Sequence, residues 1–331
     1  MRRITTALIG LNEHSHSLPI YKCINTLGEY FDVKGYVLPE NERERLPEKL
    51  CVLEGYPELT LESVLNDKSV ESVIIETDEV YLTDYAIKAA KAGKHVYMEK
   101  PGGTDLAKFE ELISLMKQSG KVFQIGYMYR YNPMIKDVIA RVKAGEFGEI
   151  TSVEAQMNCI HKPDLRNWLS TLPGGMMFYL GCHLVDLVLQ ICGKPEKIIP
   201  LNRATGVDGI GSTDLGLAVF EYKNGSSVIK TSACEYGGFM RRRLAVCGTK
   251  GSVEICPLEV IEGELQYTEK TEYFVRSWHD RGAHEKTPLF DRYRDMLVSF
   301  AKEVAGETVN PYTPDYELEL YKILLKTCGV K

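Results

Sequence analysis

Over its first 125 residues the chain alternates strand-like and helix-like runs, and that alternation admits few folds. Apolar, β-branched runs at 4–9, 31–38, 72–77, 94–98 and 122–127 are separated by helical patterns at 19–27, 61–65, 84–92 and 105–119. Strands separated by helices pair in parallel through crossovers, and a parallel sheet is stable only when helices cover both faces. Residues 1–125 are therefore expected to form a doubly wound parallel α/β sheet.

The pattern then changes. After a helix at 133–144 come strand-like segments at 150–157, 197–203, 214–222, 226–235, 242–247 and 251–255, with one long helix at 175–192 among them. Lys223-Asn224-Gly225 carries an Asn-Gly turn signal between two of these strands, which reads as a hairpin. Successive strands with short turns predict a second α/β domain, 126–312, built on a largely antiparallel open sheet. Helices at 291–305 and 315–327 finish the chain, and 313–331 is expected to pack back on the first domain. A length of 331 residues agrees with two domains rather than one core.

Composition excludes some roles. A net charge of −6 leaves nothing in bulk to neutralise phosphates, so nucleic acid is not expected as a partner. The one basic run, Arg241-Arg242-Arg243, reads as a solvated strand edge or a local anion contact. Nine cysteines, an odd number with no Cys-x-x-Cys spacing, fit reduced thiols better than a disulfide framework. No run is long enough to span a membrane, and the apolar stretch after Arg2-Arg3 is too short for a signal-peptide core. A cytoplasmic protein is expected.

Chemistry-bearing residues cluster in three places. Gly10-Leu11-Asn12-Glu13-His14-Ser15 lies between the first strand and first helix, where a dinucleotide fold carries Gly-x-Gly-x-x-Gly. Gly10 fits, Asn12 is a partial substitute because it tolerates left-handed backbone, and Ser15 brings a Cβ where the helix packs closely. The second strand ends Val37-Leu38-Pro39-Glu40, with the carboxylate that would hold a ribose displaced past a proline. His14 and His16 have a His-x-His spacing, but no third ligand is apparent and no metal is expected.

The second place is Tyr97-Met98-Glu99-Lys100-Pro101, a lysine held at a sheet's carboxyl rim with Glu99 beside it. A fixed lysine near a hydroxyl can stabilise an alkoxide or move a proton. The third is Tyr179, His183 and Asp186, which a continuous helix would put on one face. The alternative reading of that set is a core histidine satisfied by Asp186.

Together these motifs resemble the Gfo/Idh/MocA family. The resemblance rests on Ala92-Gly93-Lys94-His95-Val96-Tyr97-Met98-Glu99-Lys100-Pro101, on Gly126 through Pro133, on Gly145 through Ile150, and on Gly174-Gly175 through His183 and Asp186. It implies a Rossmann domain, a second domain whose open sheet forms a homodimer or homotetramer, and NAD or NADP as cofactor, with NAD slightly favoured. The implied cofactor site is Gly10, Asn12, Glu13, His14, Ser15, Thr77, Glu99 and Lys100. Lys100 is the implied hydroxyl-engaging lysine and His183 the acid/base, with Tyr179 beside it, and Arg130, Trp168 and Asp186 line the substrate pocket. The chain departs from the family where Tyr179 replaces an aspartate, where Asp78-Glu79 replaces Pro-Asn after Thr77, and where Leu82 replaces a histidine. Hydride transfer at a hydroxyl of a sugar, cyclitol or related polyol is the leading expectation. Two others stay open: glycoside cleavage through transient oxidation, and a cofactor-free binding, lyase or isomerase role.

Overall fold

The computed structural model describes residues 2–330. They divide into two compact units, one ending at Met128 and resuming over Tyr293–Tyr321, the other Tyr129–Arg292 with the chain from Lys322.

In the first unit, β1 (Ile4–Ile9), β2 (Phe31–Val37), β3 (Ser72–Ile75), β4 (His95–Met98) and β5 (Phe123–Ile125) make one sheet in the order β2-β1-β3-β4-β5. All four pairings are parallel. The expected architecture is present, and β3, buried at every position, shows why: both its faces are covered. The connections carry α1 (Ser17–Asn25), α2 (Glu42–Arg45), α3 (Leu61–Asn66), α4 (Leu82–Lys91) and α5 (Leu106–Ser119). Caps set the ends of α5: the Asp105 carboxylate accepts from the Lys108 amide at 3.1 Å, and Gly120 stops it with φ +62°. Because the chain leaves β1 for one side and returns for β3 on the other, the carboxyl ends of these two strands form the switch point where such folds bind ligands.

The second unit begins with α6 (Pro133–Lys143), capped by the Asn132 side chain and opened by Pro133. Its larger sheet joins β6 (Ile150–Asn158), β7 (Lys197–Pro200), β8 (Leu215–Tyr222), β9 (Gly225–Ser232), β10 (Arg243–Gly248), β11 (Ser252–Ile255), β14 (Glu269–Tyr273) and β15 (Ala283–Lys286). The order is β15-β14-β11-β10-β6-β9-β8-β7, antiparallel except for the central β6–β9 pair. A small sheet adds β12 (Val260–Glu262), β13 (Leu265–Tyr267) and β16 (Phe290–Asp291). The hairpin predicted at Asn224 is present, with Tyr222 opposite Gly225. Val153, Ala155 and Met157 alternate along β6 as its buried face, while Thr151 and Glu154 stay exposed.

Helices α7 (Pro163–Trp168), α8 (Met176–Tyr179) and α9 (Gly181–Cys192) complete this unit. The single helix expected at 175–192 is thus two helices, interrupted at Leu180. Gly181 follows the break, and a side chain there would meet the Met177 sulfur, which would have to shift. The segment α7 and the small sheet have no counterpart in the sequence-based reading.

α10 (Arg294–Val304) and the part of α11 (Pro314–Thr327) up to Tyr321 belong to the first unit. Residues 293–312, assigned from sequence to the second domain, therefore return to the first. Tyr321 explains part of this, stacking on Phe109 at 4.5 Å and donating its hydroxyl to the Gly103 carbonyl at 2.9 Å. Among the described residues no helix is long and apolar enough to cross a membrane, and none of the nine cysteines is joined to another.

Candidate active site

The turn after β1 is shaped by Gly10. Its φ is +85°, and a Cβ there would lie 2.6 Å from the Thr77 Cβ, so only glycine lets β1 and β3 end this close. Asn12 is fully buried and its amide is fully used. The Nδ2 group donates to the Thr77 carbonyl at 3.0 Å and to Glu79 Oε2 at 3.2 Å. Oδ1 accepts from the His14 amide at 2.7 Å and from the Ser15 amide at 2.8 Å. Glu13 donates its amide to Asp78 Oδ1 at 3.3 Å. Lys49 Nζ donates to the backbone carbonyls of Asn12 and Glu13.

The two histidines diverge. His14 Nε2 lies 3.6 Å from Glu13, whereas His16 Nδ1 lies 3.1 Å from Glu99 Oε1, which also accepts from the Ser15 hydroxyl at 2.6 Å. Among the described residues no group of three or more His, Cys, Asp or Glu is arranged to hold a metal. Glu40, read from sequence as past the ribose position, accepts from the Tyr85 hydroxyl at 2.7 Å.

Sequence reasoning missed Glu42 and Glu76 beneath this turn. Glu42 is buried and accepts from the Leu11 amide at 2.9 Å and the Thr77 hydroxyl at 2.7 Å. Burial pushes its carboxyl up to about 8, against the pull of those two donors. Burial likewise raises Glu79 to about 7, with the Lys100 charge opposing, and raises Glu76 well above the ordinary value. Glu99 goes the other way. Burial is its largest influence and acts upward, but His16, Lys100 and the Ser15 hydroxyl together hold it below the ordinary range. Lys100 itself is fully buried, and its bond to Pro101 is cis.

These raised carboxyls make stability pH-dependent. Glu42 and Glu79 keep their protons in the folded chain up to about 8 and about 7, while in the unfolded chain they lose them near 4.3. The folded state binds more protons in between, so the stabilisation is full in acid and is lost as pH rises through the folded values. His95, lowered to about 4 by burial, opposes this only below its ordinary value near 6.5. Urea unfolding at about pH 6.5 and about pH 8 is expected to show stability falling by on the order of 1 kcal/mol per pH unit, and Glu42→Gln to flatten the slope. Equal midpoints at the two pH values would contradict it.

In the second unit the expected set takes three separate partners. His183, on α9, is 1% exposed and meets the Tyr129 ring edge-on at 5.0 Å. Tyr129 is pinned by its hydroxyl, which donates to Glu259 Oε1 at 2.6 Å, and Glu259 is in turn bound by Arg242 and by Arg292 at 2.6 Å. Burial, then the Glu259 charge, raise the Tyr129 phenol to about 12, so it remains a donor. Arg242 thus meets an internal anion, while Arg241 and Arg243 pair with Glu235 and Glu154.

Asp186 is gripped bidentately by Arg130, at 2.9 and 3.0 Å, with Gln190 donating at 2.9 Å. Tyr179 lies before the break at Leu180, its ring 5.3 Å from Trp168 and 6.1 Å from His161. The expectation of one continuous face through Tyr179, His183 and Asp186 is therefore corrected: the helix does not continue from Tyr179 to His183.

The first unit fits a dinucleotide in most respects. Glu79 Oε1 and Glu99 Oε2 are buried acceptors that take no hydrogen bond from the protein, suited to ribose hydroxyls or a carboxamide. A Cβ at Gly126 would sit 2.8 Å from Glu99 Oε2, so glycine keeps that acceptor approachable. At the turn itself the Glu13, His14 and Ser15 amides are spent on the protein's own oxygens.

Comparisons with known proteins bear on the family and the fold. The chain is 26% identical over 247 residues to the 2,7-anhydro-N-acetylneuraminate hydratase of Escherichia coli strain K12, covering 72% of this chain and 64% of that protein. To the scyllo-inositol 2-dehydrogenase (NAD(+)) of Bacillus subtilis strain 168 it is 27% identical over 199 residues, 58% of this chain and 57% of the relative. The chain thus spans about three fifths of the length of these relatives. In fold it is similar to an oxidoreductase from Thermotoga maritima, with TM-score 0.78, 18% identity and coverage of 99% and 96% of the two chains. KijD10, a 3-ketoreductase from Actinomadura kijaniata solved with NADP and TDP-benzene, matches with TM-score 0.76, 16% identity and coverage of 98% and 96%. Residues 5–127 match the model described as oxidoreductase family, NAD-binding Rossmann fold, and residues 135–254 match the GFO/IDH/MocA C-terminal domain, so this chain belongs to the Gfo/Idh/MocA family of NAD(P)-binding oxidoreductases.

Proposed function

We propose that this chain oxidises or reduces a hydroxyl-bearing carbon of a sugar, cyclitol or related polyol with NAD or NADP. The observation that carries the reading is the His183 imidazole, buried and oriented by a Tyr129 ring that is itself pinned on Glu259. A positioned imidazole can accept the hydroxyl proton in one direction and return it in the other. Arg130, bound on Asp186, keeps a cation beside the same helix, and Trp168 with Tyr179 supplies an aromatic wall of the kind sugar rings pack on. Lys100, fully buried in the first unit and next to Glu99 in the chain, is the residue the family resemblance assigns to the developing oxyanion. The nicotinamide supplies the hydride donor or acceptor. Glu79 and Glu99 offer acceptors for its ribose or carboxamide.

The second reading, transient oxidation with elimination, is favoured by two observations. Tyr179 stands where the resemblance leads one to expect an aspartate, and the relative at 26% identity is named a hydratase. One experiment separates them. Purified protein with millimolar NAD(H) or NADP(H) is expected to be thermally stabilised, and with a polyol panel to accumulate reduced nicotinamide in step with product. Product without reduced nicotinamide would support the second reading. Absence of any stabilisation by all four nucleotides would sink both.

A further inference from the structure

We propose that Asn12 is a built-in occupant of the diphosphate seat and sets how tightly this chain holds a dinucleotide. The inference rests on the cofactor reading above. At a βα turn of this kind, phosphate oxygens are held by backbone N–H groups of the turn and of the helix that follows, and here the His14 and Ser15 amides belong to the turn that leads into α1 at Ser17. Here the His14 and Ser15 amides both point at Asn12 Oδ1, at 2.7 and 2.8 Å. One amide oxygen thus fills the place of a phosphate oxygen. The other end of the side chain is anchored on the Thr77 carbonyl and on Glu79, so the plug is held from behind as well.

The neighbouring groups are committed in the same way. The Asn12 amide donates to Ser17 Oγ at 3.0 Å, the Glu13 amide faces Asp78, and the Ser15 hydroxyl faces Glu99. Nearby cations do not take over the seat. Arg45 is bound to Asp78 at 2.6 Å, and Lys49 is bound to the carbonyls of the turn. Glycine, the residue the dinucleotide fingerprint has at this position, would leave both amides open and carry no side chain to displace. An incoming diphosphate must instead break two Asn12 hydrogen bonds before it forms its own.

The test is calorimetric titration of NADH, NADPH, ADP and adenosine into the wild-type chain and into Asn12→Gly, with Asn12→Ala as a second variant should the glycine loosen the turn. Two net hydrogen bonds correspond to a tightening of about tenfold or more for NADH and ADP. Adenosine, which has no phosphate, is expected to be unchanged. Equal or weaker NADH and ADP binding by folded variants overturns the inference while leaving the cofactor reading intact. A gain for ADP with no response to NADH or NADPH in any protein upholds the plug and removes the nicotinamide reading. Equal tightening of adenosine and ADP assigns the gain to something other than the diphosphate seat and also overturns it.

Discussion

Replacing His183 by asparagine is expected to lower kcat by roughly 10²–10⁴-fold while the protein stays folded. The imidazole is buried and no other titratable ring packs on Tyr129 in the same way among the described residues. Asparagine is smaller and polar, so the edge-on ring contact is lost at a cost of about 1 kcal/mol. It has no proton to exchange near neutrality. The limb of the pH–rate profile that the imidazole produces should vanish, and KM should move much less than kcat. A kcat within tenfold of wild type, at unchanged circular dichroism, would remove His183 from the chemistry.

Asp186→Ala should act on the fold before it acts on turnover. Arg130 and Asp186 have side chains 1% and 2% exposed, and two guanidinium hydrogen bonds converge on this carboxylate. Deleting one member takes its bidentate partner away from a buried charge, a loss of about 3–5 kcal/mol. For a unit of this size that is roughly 6–20 °C in Tm. Removing both charges, as in Asp186→Leu with Arg130→Met, should recover most of the loss, because the desolvation cost of the guanidinium goes too. If Asp186 instead serves substrate alone, Tm stays put and only KM rises. Differential scanning calorimetry on the single and double variants distinguishes these outcomes.

Much of the fold was legible because its signals are local. Alternating apolar runs and helix caps such as Asp105 and Asn132 act over a few residues, and the five-stranded parallel sheet follows from them. The Lys223-Asn224-Gly225 hairpin was legible for the same reason. What failed had a spatial cause. At the break beside Leu180 the Met177 side chain lies against Gly181, and periodicity carries no record of that contact. The return of Tyr293–Tyr321 to the first unit depends on aromatic partners such as Phe109, which lie about two hundred residues earlier in the chain.

The site divides along the same line. Lys100, His183 and the altered turn at Gly10–Ser15 could be picked out as candidates, because strand ends and glycine positions are written in consecutive residues. Glu42 could not. It stands in the run Asn41-Glu42-Arg43-Glu44-Arg45, which reads as solvated charge, yet it folds under the turn to meet Leu11 and Thr77. The Tyr129–Glu259 bond joins residues 130 apart, and no sequence window contains both.

By itself the sequence determined the doubly wound first sheet, the mostly antiparallel second one and the identity of the candidate residues. The tertiary structure alone decided which oxygen each donor meets. Asn12 and not a glycine cradle faces the turn's amides, Asp186 faces Arg130 and not an unbroken histidine face, and buried carboxyls beneath Thr77 hold their protons near neutral pH. The reason is that patterning acts through burial averaged over many residues, whereas hydrogen bonds and pKa values depend on single distances set only when remote segments meet.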